Sequence, residues 1–243
     1  MEYLVVATVS AITSFIFALG GLGSAIILVP ILNLIGVPFP LARSTGLFTN
    51  VISSGGLLFN NLKNRRLDWK FALSLTGGAF LFSPIGAVVS HYVPQKWIGL
   101  LLSLFLIYAS IAMYIPKKEG EYKERPLWVP ILIGSVVGFI SGMLGVGGGS
   151  IASPLLMLLG YPPTLIISSI PLMVFFSSLG GFLAYWKMGA VDWLLILSAA
   201  LPAFFAGYLG AYVAHNFLST KQIKKVLGFV FFVVGVRFLL KWL

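Results

Sequence analysis

Two glycine-rich turns carry the chemistry that this sequence offers. Gly20-Gly21-Leu22-Gly23-Ser24 and Gly145-Val146-Gly147-Gly148-Gly149-Ser150 each follow one apolar run and open the next. Glycine admits positive φ and lets backbone approach a ligand closely. The first N–H groups of a helix lack internal partners and sit at its positive dipole end. Glycines and a serine at a helix start therefore make an anion cradle, with backbone amides and a hydroxyl as donors. Gly21, Gly23 and Ser24 form one candidate cradle; Gly145, Gly147, Gly148, Gly149 and Ser150 form the other. Two such cradles can face one small oxyanion from both sides. A bland role as small residues in tight helix packing competes with this reading. Two turns at equivalent places, each before a helix too short to span, favour the binding role. The strand and the lysine that a nucleotide-binding glycine loop needs are both missing.

Hydroxyls downstream can complete the shell: Ser44 and Thr45 after the first short run, Ser168 and Ser169 after the second. Arg43 precedes the first pair and either supplies charge or sits at the membrane interface; its counterpart is Ile167. Asn50 lies inside an apolar segment, where an unsatisfied amide is costly. It serves either the site or helix–helix contact, and its counterpart is Val174. His91 and His215 end matching segments. As a titrating pair they would couple transport to protons, although interfacial anchoring is the commoner role at helix ends. Asp68 and Asp192 precede Trp69 and Trp193, where a carboxylate caps a helix and an indole anchors at headgroups.

The elements that position these residues come in duplicate. A shift of 124 positions (154 − 30) aligns the two halves without a gap from Phe15 to His91. Pro30 meets Pro154, Gly36 meets Gly160, Ser53-Ser54 meets Ser177-Ser178, and Asp68-Trp69 meets Asp192-Trp193. Each half holds about five apolar segments, 8–10 in total. The first set is Leu4–Leu19, Ser24–Ile35, Ser44–Leu62, Phe71–His91 and Trp97–Ile115. The second is Leu127–Leu144, Ser150–Leu159, Ile166–Trp186, Trp193–Phe217 and Val226–Leu240. Ser24–Ile35 and Ser150–Leu159 fall well short of the roughly 20 residues a span needs, and both end at Gly-x-Pro. They read as half-helices, tolerable only where protein or a water-filled cavity surrounds their ends. The expected organisation is a first membrane repeat over 1–115, a polar cytoplasmic linker over 116–126, and a second repeat over 127–243.

Composition agrees. With 59% hydrophobic and 9% charged residues and a mean hydropathy of +1.02, the chain is no ordinary soluble domain, in which about 25% of residues are charged. The runs are continuous rather than alternating, so the fold class is an all-α polytopic membrane protein, not a barrel. Met1–Val6 carries an acid where a signal peptide needs basic residues, so the first apolar run is expected to be retained. Cysteine is absent, which excludes disulfides and thiolate metal sites, and no cofactor is called for. The net charge of +10 follows the basic bias of cytoplasmic loops; the basic residues sit in separate loops, which argues against nucleic acid. The expected partners are a small anionic substrate and the lipid bilayer; oligomeric state is not legible.

Lys63, Arg65, Arg66 and Lys70 place the loop before Phe71 in the cytoplasm. The second repeat is expected to be inverted, because an odd number of crossings per repeat reverses it. The basic loop of the first repeat also shrinks to Lys187 in the second, while Lys96 grows into a lysine cluster. All six acids (Glu2, Asp68, Glu119, Glu121, Glu124, Asp192) lie in termini or loops. None is placed to carry a cation across the membrane. No catalytic constellation is visible, so the chain is not read as an enzyme.

These residues resemble a family. The GVGGGS turn with its proline-containing half-segment, the repeat of that pattern, and the paired Asp-Trp sites look like the TauE/SafE sulfite exporter family, also called the toluene sulfonate uptake permease family. The first glycine motif departs from the usual triple glycine, reading Gly-Leu-Gly-Ser-Ala over Gly21–Ala25. The resemblance implies movement of sulfite, sulfonates or other small anions across the cytoplasmic membrane, in either direction. The expected protein is a secondary transporter in the inner or plasma membrane working by alternating access. The alternative is an anion channel or uniporter with the same glycine-lined site.

Overall fold

The computed structural model describes residues 2–18, 24–63, 65, 67–114, 126–217 and 220–243. Gly20–Gly23 and most of the expected linker (116–125) lie outside them. The described residues form ten helices: α1 (Glu2–Ala18), α2 (Ala25–Leu34), α3 (Phe39–Lys63), α4 (Trp69–Tyr92), α5 (Gln95–Tyr114), α6 (Trp128–Leu144), α7 (Gly149–Leu158), α8 (Pro163–Lys187), α9 (Trp193–Phe217) and α10 (Thr220–Trp242). By length and composition α4, α8 and the Trp193–Gly210 part of α9 suffice to cross a membrane; α1, α2, α5 and α6 contain shorter apolar stretches. Trp69, Trp97, Trp128, Trp186 and Trp193 are exposed at helix ends, as an interfacial aromatic belt requires.

The two ten-residue helices α2 and α7 end alike. Gly36 (φ 106°) and Gly160 (φ 83°) take the left-handed conformation. Their N–H groups donate to Asn33 O (3.2 Å) and Met157 O (3.0 Å), while Val37 and Tyr161 donate to Leu32 O and Leu156 O at 3.0 Å each. This paired closure satisfies the last carbonyls, and Pro38 and Pro162 forbid continuation.

Two expected boundaries need correction. The runs drawn from Ser44 and Ile166 begin earlier, at Phe39 and Pro163. Proline costs nothing in a first turn, where its missing N–H has no partner to lose. Arg43 therefore stands within α3 rather than before it, while Ser44, Thr45, Ser168 and Ser169 lie within helices as expected. Likewise α10 begins at Thr220, not Val226, because its polar first turn is helical without being apolar.

Asp68 accepts from Phe71 N at 3.0 Å, and Asp192 from Leu195 N at 3.0 Å. Both carboxylates are N-caps, as the sequence suggests. Asp68→Ala is expected to cost about 1 kcal/mol, a fall of about 2–4 °C in melting midpoint, with anion flux unchanged in reconstituted vesicles.

Packing sets direction. The start of α3 meets the end of α8, since the Arg43 guanidinium lies 5.3 Å from the Tyr185 ring. The end of α3 meets the start of α8, where Asn61 donates to Ser168 O at 3.1 Å. These helices are antiparallel. So are α5 and α10: Ser110 donates to Gly228 O at 2.7 Å, while a β-carbon on Gly99 would strike Trp242. By contrast α4 and α6 run parallel and in backbone contact, with Gly78 facing Ile131 O and Gly86 facing Phe139 O, the close approach that small residues permit. The short helix α2 ends beside Lys241, which donates to Asn33 O. The other, α7, leads into Tyr161, 5.0 Å from Phe71 at the start of α4. Since α3 starts near Trp242 and α4 starts where α3 ends, α2 and α7 run from the middle of the bundle toward opposite faces.

Candidate functional site

The middle of α3 is where the second glycine turn docks. Arg43, Gly46 and Asn50 are spaced three and four residues apart, which puts them on one helix face. That face lies on the turn. A β-carbon on Gly145 would collide with Arg43, and one on Gly147 would overlap the Asn50 side-chain nitrogen. Gly145 (φ 74°) and Gly147 (φ 72°) are both left-handed, so glycine is required here for conformation and for space. Gly148 is the N-cap of α7, and Gly149 and Ser150 are its first residues.

Asn50 is fully buried and joins the two short helices. Its Nδ2 donates to Val146 O at 3.0 Å in the turn leading to α7. Its Oδ1 accepts from Ala25 N, the first residue of α2, at 3.3 Å. One amide thus fixes the positive ends of α2 and α7 near each other. Of the two roles considered for Asn50, these bonds show the helix–helix contact.

Hydroxyl partners separate the predicted residues into two groups. Ser44 and Ser168 turn back on their own helices, bonding Leu41 O and Leu165 O at 3.0 Å each. Ser24, Thr45, Ser150 and Ser169 are buried with no hydrogen-bond partner in the protein. Ser141 and Ser178, which the sequence did not single out as ligands, share that condition. The Ser178 hydroxyl lies 3.3 Å from where a β-carbon on Gly147 would stand. Native interiors leave few buried hydroxyls unpaired; of these six, Ser141 and Ser178 flank the Gly147–Gly148 turn and Ser24 directly precedes α2. The only clue for Ser178 was its match with Ser54, which instead bonds Asn50 O at 2.5 Å.

Arg43 is the largest side chain among the fully buried ones. Its Nη1 donates to Met143 O at 3.0 Å, and its guanidinium carbon sits 4.6 Å from the Phe39 ring and 5.3 Å from Tyr185. Among the described residues no carboxylate pairs with it. Cation–π contacts offset part of the cost of burying the charge. Of the two roles open to Arg43 in the sequence, burial favours charge over an interfacial position. Ser90 and Tyr185, its neighbours in a cavity, escaped the sequence reading because nothing local marks a serine or tyrosine in an apolar run. His91 lines the same cavity from the end of α4. His215 lies in α9, but its side chain is outside the description, as are Gly21 and Gly23.

The site offers helix-start amides, hydroxyls and a cation, and among the described residues no nucleophile and base are in contact. That donor set suits an oxyanion.

A sequence profile of the family described as Sulfite exporter TauE/SafE matches residues 6–238. The probable membrane transporter protein YunE of Bacillus subtilis (strain 168) is 26% identical over 266 residues, covering 98% of this chain and 97% of that relative. A probable membrane transporter protein of Methanocaldococcus jannaschii is 27% identical over 264 residues, covering 98% and 97%. The sulfite exporter TauE/SafE family protein 6 of Arabidopsis thaliana is 27% identical over 132 residues, covering 53% of this chain and 31% of that protein. No solved structure matches. Relatives matched over their full length carry the names of membrane transporters rather than enzymes, in keeping with a site that holds donors without catalytic machinery. With the profile running from within α1 through α9 and into α10, this multi-pass membrane chain belongs to the sulfite exporter TauE/SafE family.

Proposed function

We propose that this protein is a secondary transporter of a small oxyanion, sulfite or an organosulfonate, in the plasma membrane. The observation that carries the reading is the meeting of two short-helix starts at Asn50, among buried hydroxyls without partners. An anion placed there accepts from amides and hydroxyls at the positive ends of α2 and α7. Binding sites of this kind recur where broken helices of two repeats meet near the bilayer midplane.

The two halves are read as inverted repeats. Three features support this: α3 opposes its counterpart α8, α5 opposes α10, and α2 and α7 leave the centre toward opposite faces. Rocking one half against the other then opens the centre to each side in turn. With the Lys63–Lys70 loop cytoplasmic, the start of α3 and the end of α8 face outward.

Uptake of radiolabelled sulfite into proteoliposomes, with and without an imposed pH gradient, tests the reading. Saturable accumulation against a gradient, displaced by competing sulfonates, is expected. Passive flux that cannot be driven uphill would replace it with a channel or uniporter. No movement of sulfite or any competitor would remove the substrate class.

A further inference from the structure

The buried charge of Arg43 serves a second place besides the centre. A cavity of about 240 Å³ is lined by Pro40, Arg43, Ser90, His91, Tyr185 and the Met188–Ala190 turn. It lies between the start of α3, the end of α4 and the α8–α9 turn, away from the Asn50 end of the site. Arg43 forms its inner wall while holding Met143 O of α6, two residues before the glycine turn.

Three properties of the cavity select an anion. Arg43 is only 2% exposed, and no described carboxylate neutralises it. A buried cation left unpaired is costly, and the cavity opens onto this one. Beside the His91 imidazole, the remaining polar side chains are hydroxyls that can rearrange as donors. Ser90 Oγ lies 2.6 Å from Ala87 O and 2.9 Å from Tyr185 Oη, which lies 3.2 Å from Gly142 O. Two hydroxyl protons serve these three contacts, so one contact always lacks a proton. If Tyr185 donates to Ser90, the Ser90 proton is free to turn from Ala87 O to a ligand at little net cost in hydrogen bonds. The aromatic faces of Phe39 and Tyr185 flank the guanidinium and fix its plane, which suits an oxyanion presenting two oxygens.

We infer that this cavity is a separate staging subsite for a small sulfonate or sulfite-like oxyanion, held by Arg43 with Ser90 and Tyr185, on the outward side of the central site. The orientation of the subsite rests on the transporter reading; the binding itself does not. An anion arriving here neutralises Arg43 and competes with Met143 O for its N–H groups, which ties occupancy to the carbonyl just before the Gly145–Gly148 turn.

The chain has no cysteine, so a single introduced thiol reports on the cavity without background. Ala190→Cys in the purified full-length protein is labelled with a maleimide dye, in methanesulfonate or in chloride at equal ionic strength. Near ten times Kd, occupancy is expected to slow labelling about tenfold. Tyr92→Cys, exposed on the same side, labels equally in both salts. Arg43→Gln abolishes the protection, and Gly147→Leu retains it, because the second change fills the centre and leaves the cavity intact. Equal labelling of Ala190→Cys in both salts overturns the subsite, as does protection that survives Arg43→Gln or vanishes with Gly147→Leu. If Ala190→Cys fails to fold, Met188→Cys gives the same readout. Protection without flux in proteoliposomes leaves the subsite standing and removes the transporter reading.

Discussion

Gly147→Leu is expected to abolish anion uptake in reconstituted vesicles while the protein still elutes as a folded, monodisperse species. Gly147 is left-handed at φ 72°, and any β-carbon there overlaps the Asn50 amide. The Asn50 side chain must leave, and its bonds to Val146 O and Ala25 N go with it. Both short helices lose the group that positions their starts, and the leucine occupies space beside the Ser178 hydroxyl. Strain of about 1–3 kcal/mol from the backbone adds to the lost contacts, against a typical stability of about 5–15 kcal/mol. The bundle is expected to survive with a lowered melting midpoint. Gly147→Ala tests the same logic with less bulk. Adding Asn50→Ala to it relieves the overlap and recovers stability, but not uptake, because the alanine cannot hold the helix starts. Recovery of uptake in the double variant would show that the glycine serves packing alone. Aggregation of Gly147→Ala would point the same way.

The periodic features of this fold were legible. The shift of 124 residues maps α2 onto α7 and α3 onto α8, end to end, because the same Gly-x-Pro signal stops both short helices. The aspartate caps and the tryptophan belt follow from chemistry that operates within one turn of helix. The helix starts at Phe39 and Pro163 were misplaced because hydropathy rises only after the prolines, whereas proline is a good first-turn residue.

What the sequence could not show is what the differences between the two halves do. Asn50 and Arg43 have Val174 and Ile167 as counterparts, so each was left with two open roles. Yet the asymmetry is informative: one asparagine serves both short helices, and a second at position 174 was not needed. The split between Ser44 and Thr45, or Ser168 and Ser169, was equally hidden. Adjacent residues on a helix point about 100° apart, and only packing decides which hydroxyl faces its own backbone and which faces the interior. Tyr185 joins Arg43 only because α3 and α8 run antiparallel, a relation set by tertiary structure.

Arg43→Gln separates function from folding most sharply. In most buried ion pairs, removing one partner strands the other and destabilises the protein. Here no described carboxylate is stranded, so taking the charge away relieves desolvation, and glutamine, too short to reach Met143 O, places its amide where Arg43 Nε donates to Phe39 O. The melting midpoint is therefore expected to hold or rise. Anion binding moves the other way. A hydrogen bond to a charged group contributes about 1.5–3 kcal/mol, so KM for sulfite is expected to rise roughly 10- to 150-fold. Arg43→Lys keeps the charge but loses the planar fork that Phe39 and Tyr185 orient, and its KM should fall between the two. Joint loss of uptake and thermal stability in Arg43→Gln would instead make the arginine a strut for the Met143 carbonyl. A raised midpoint with lost affinity is the signature of a charge kept buried for its ligand, at the expense of the fold that holds it.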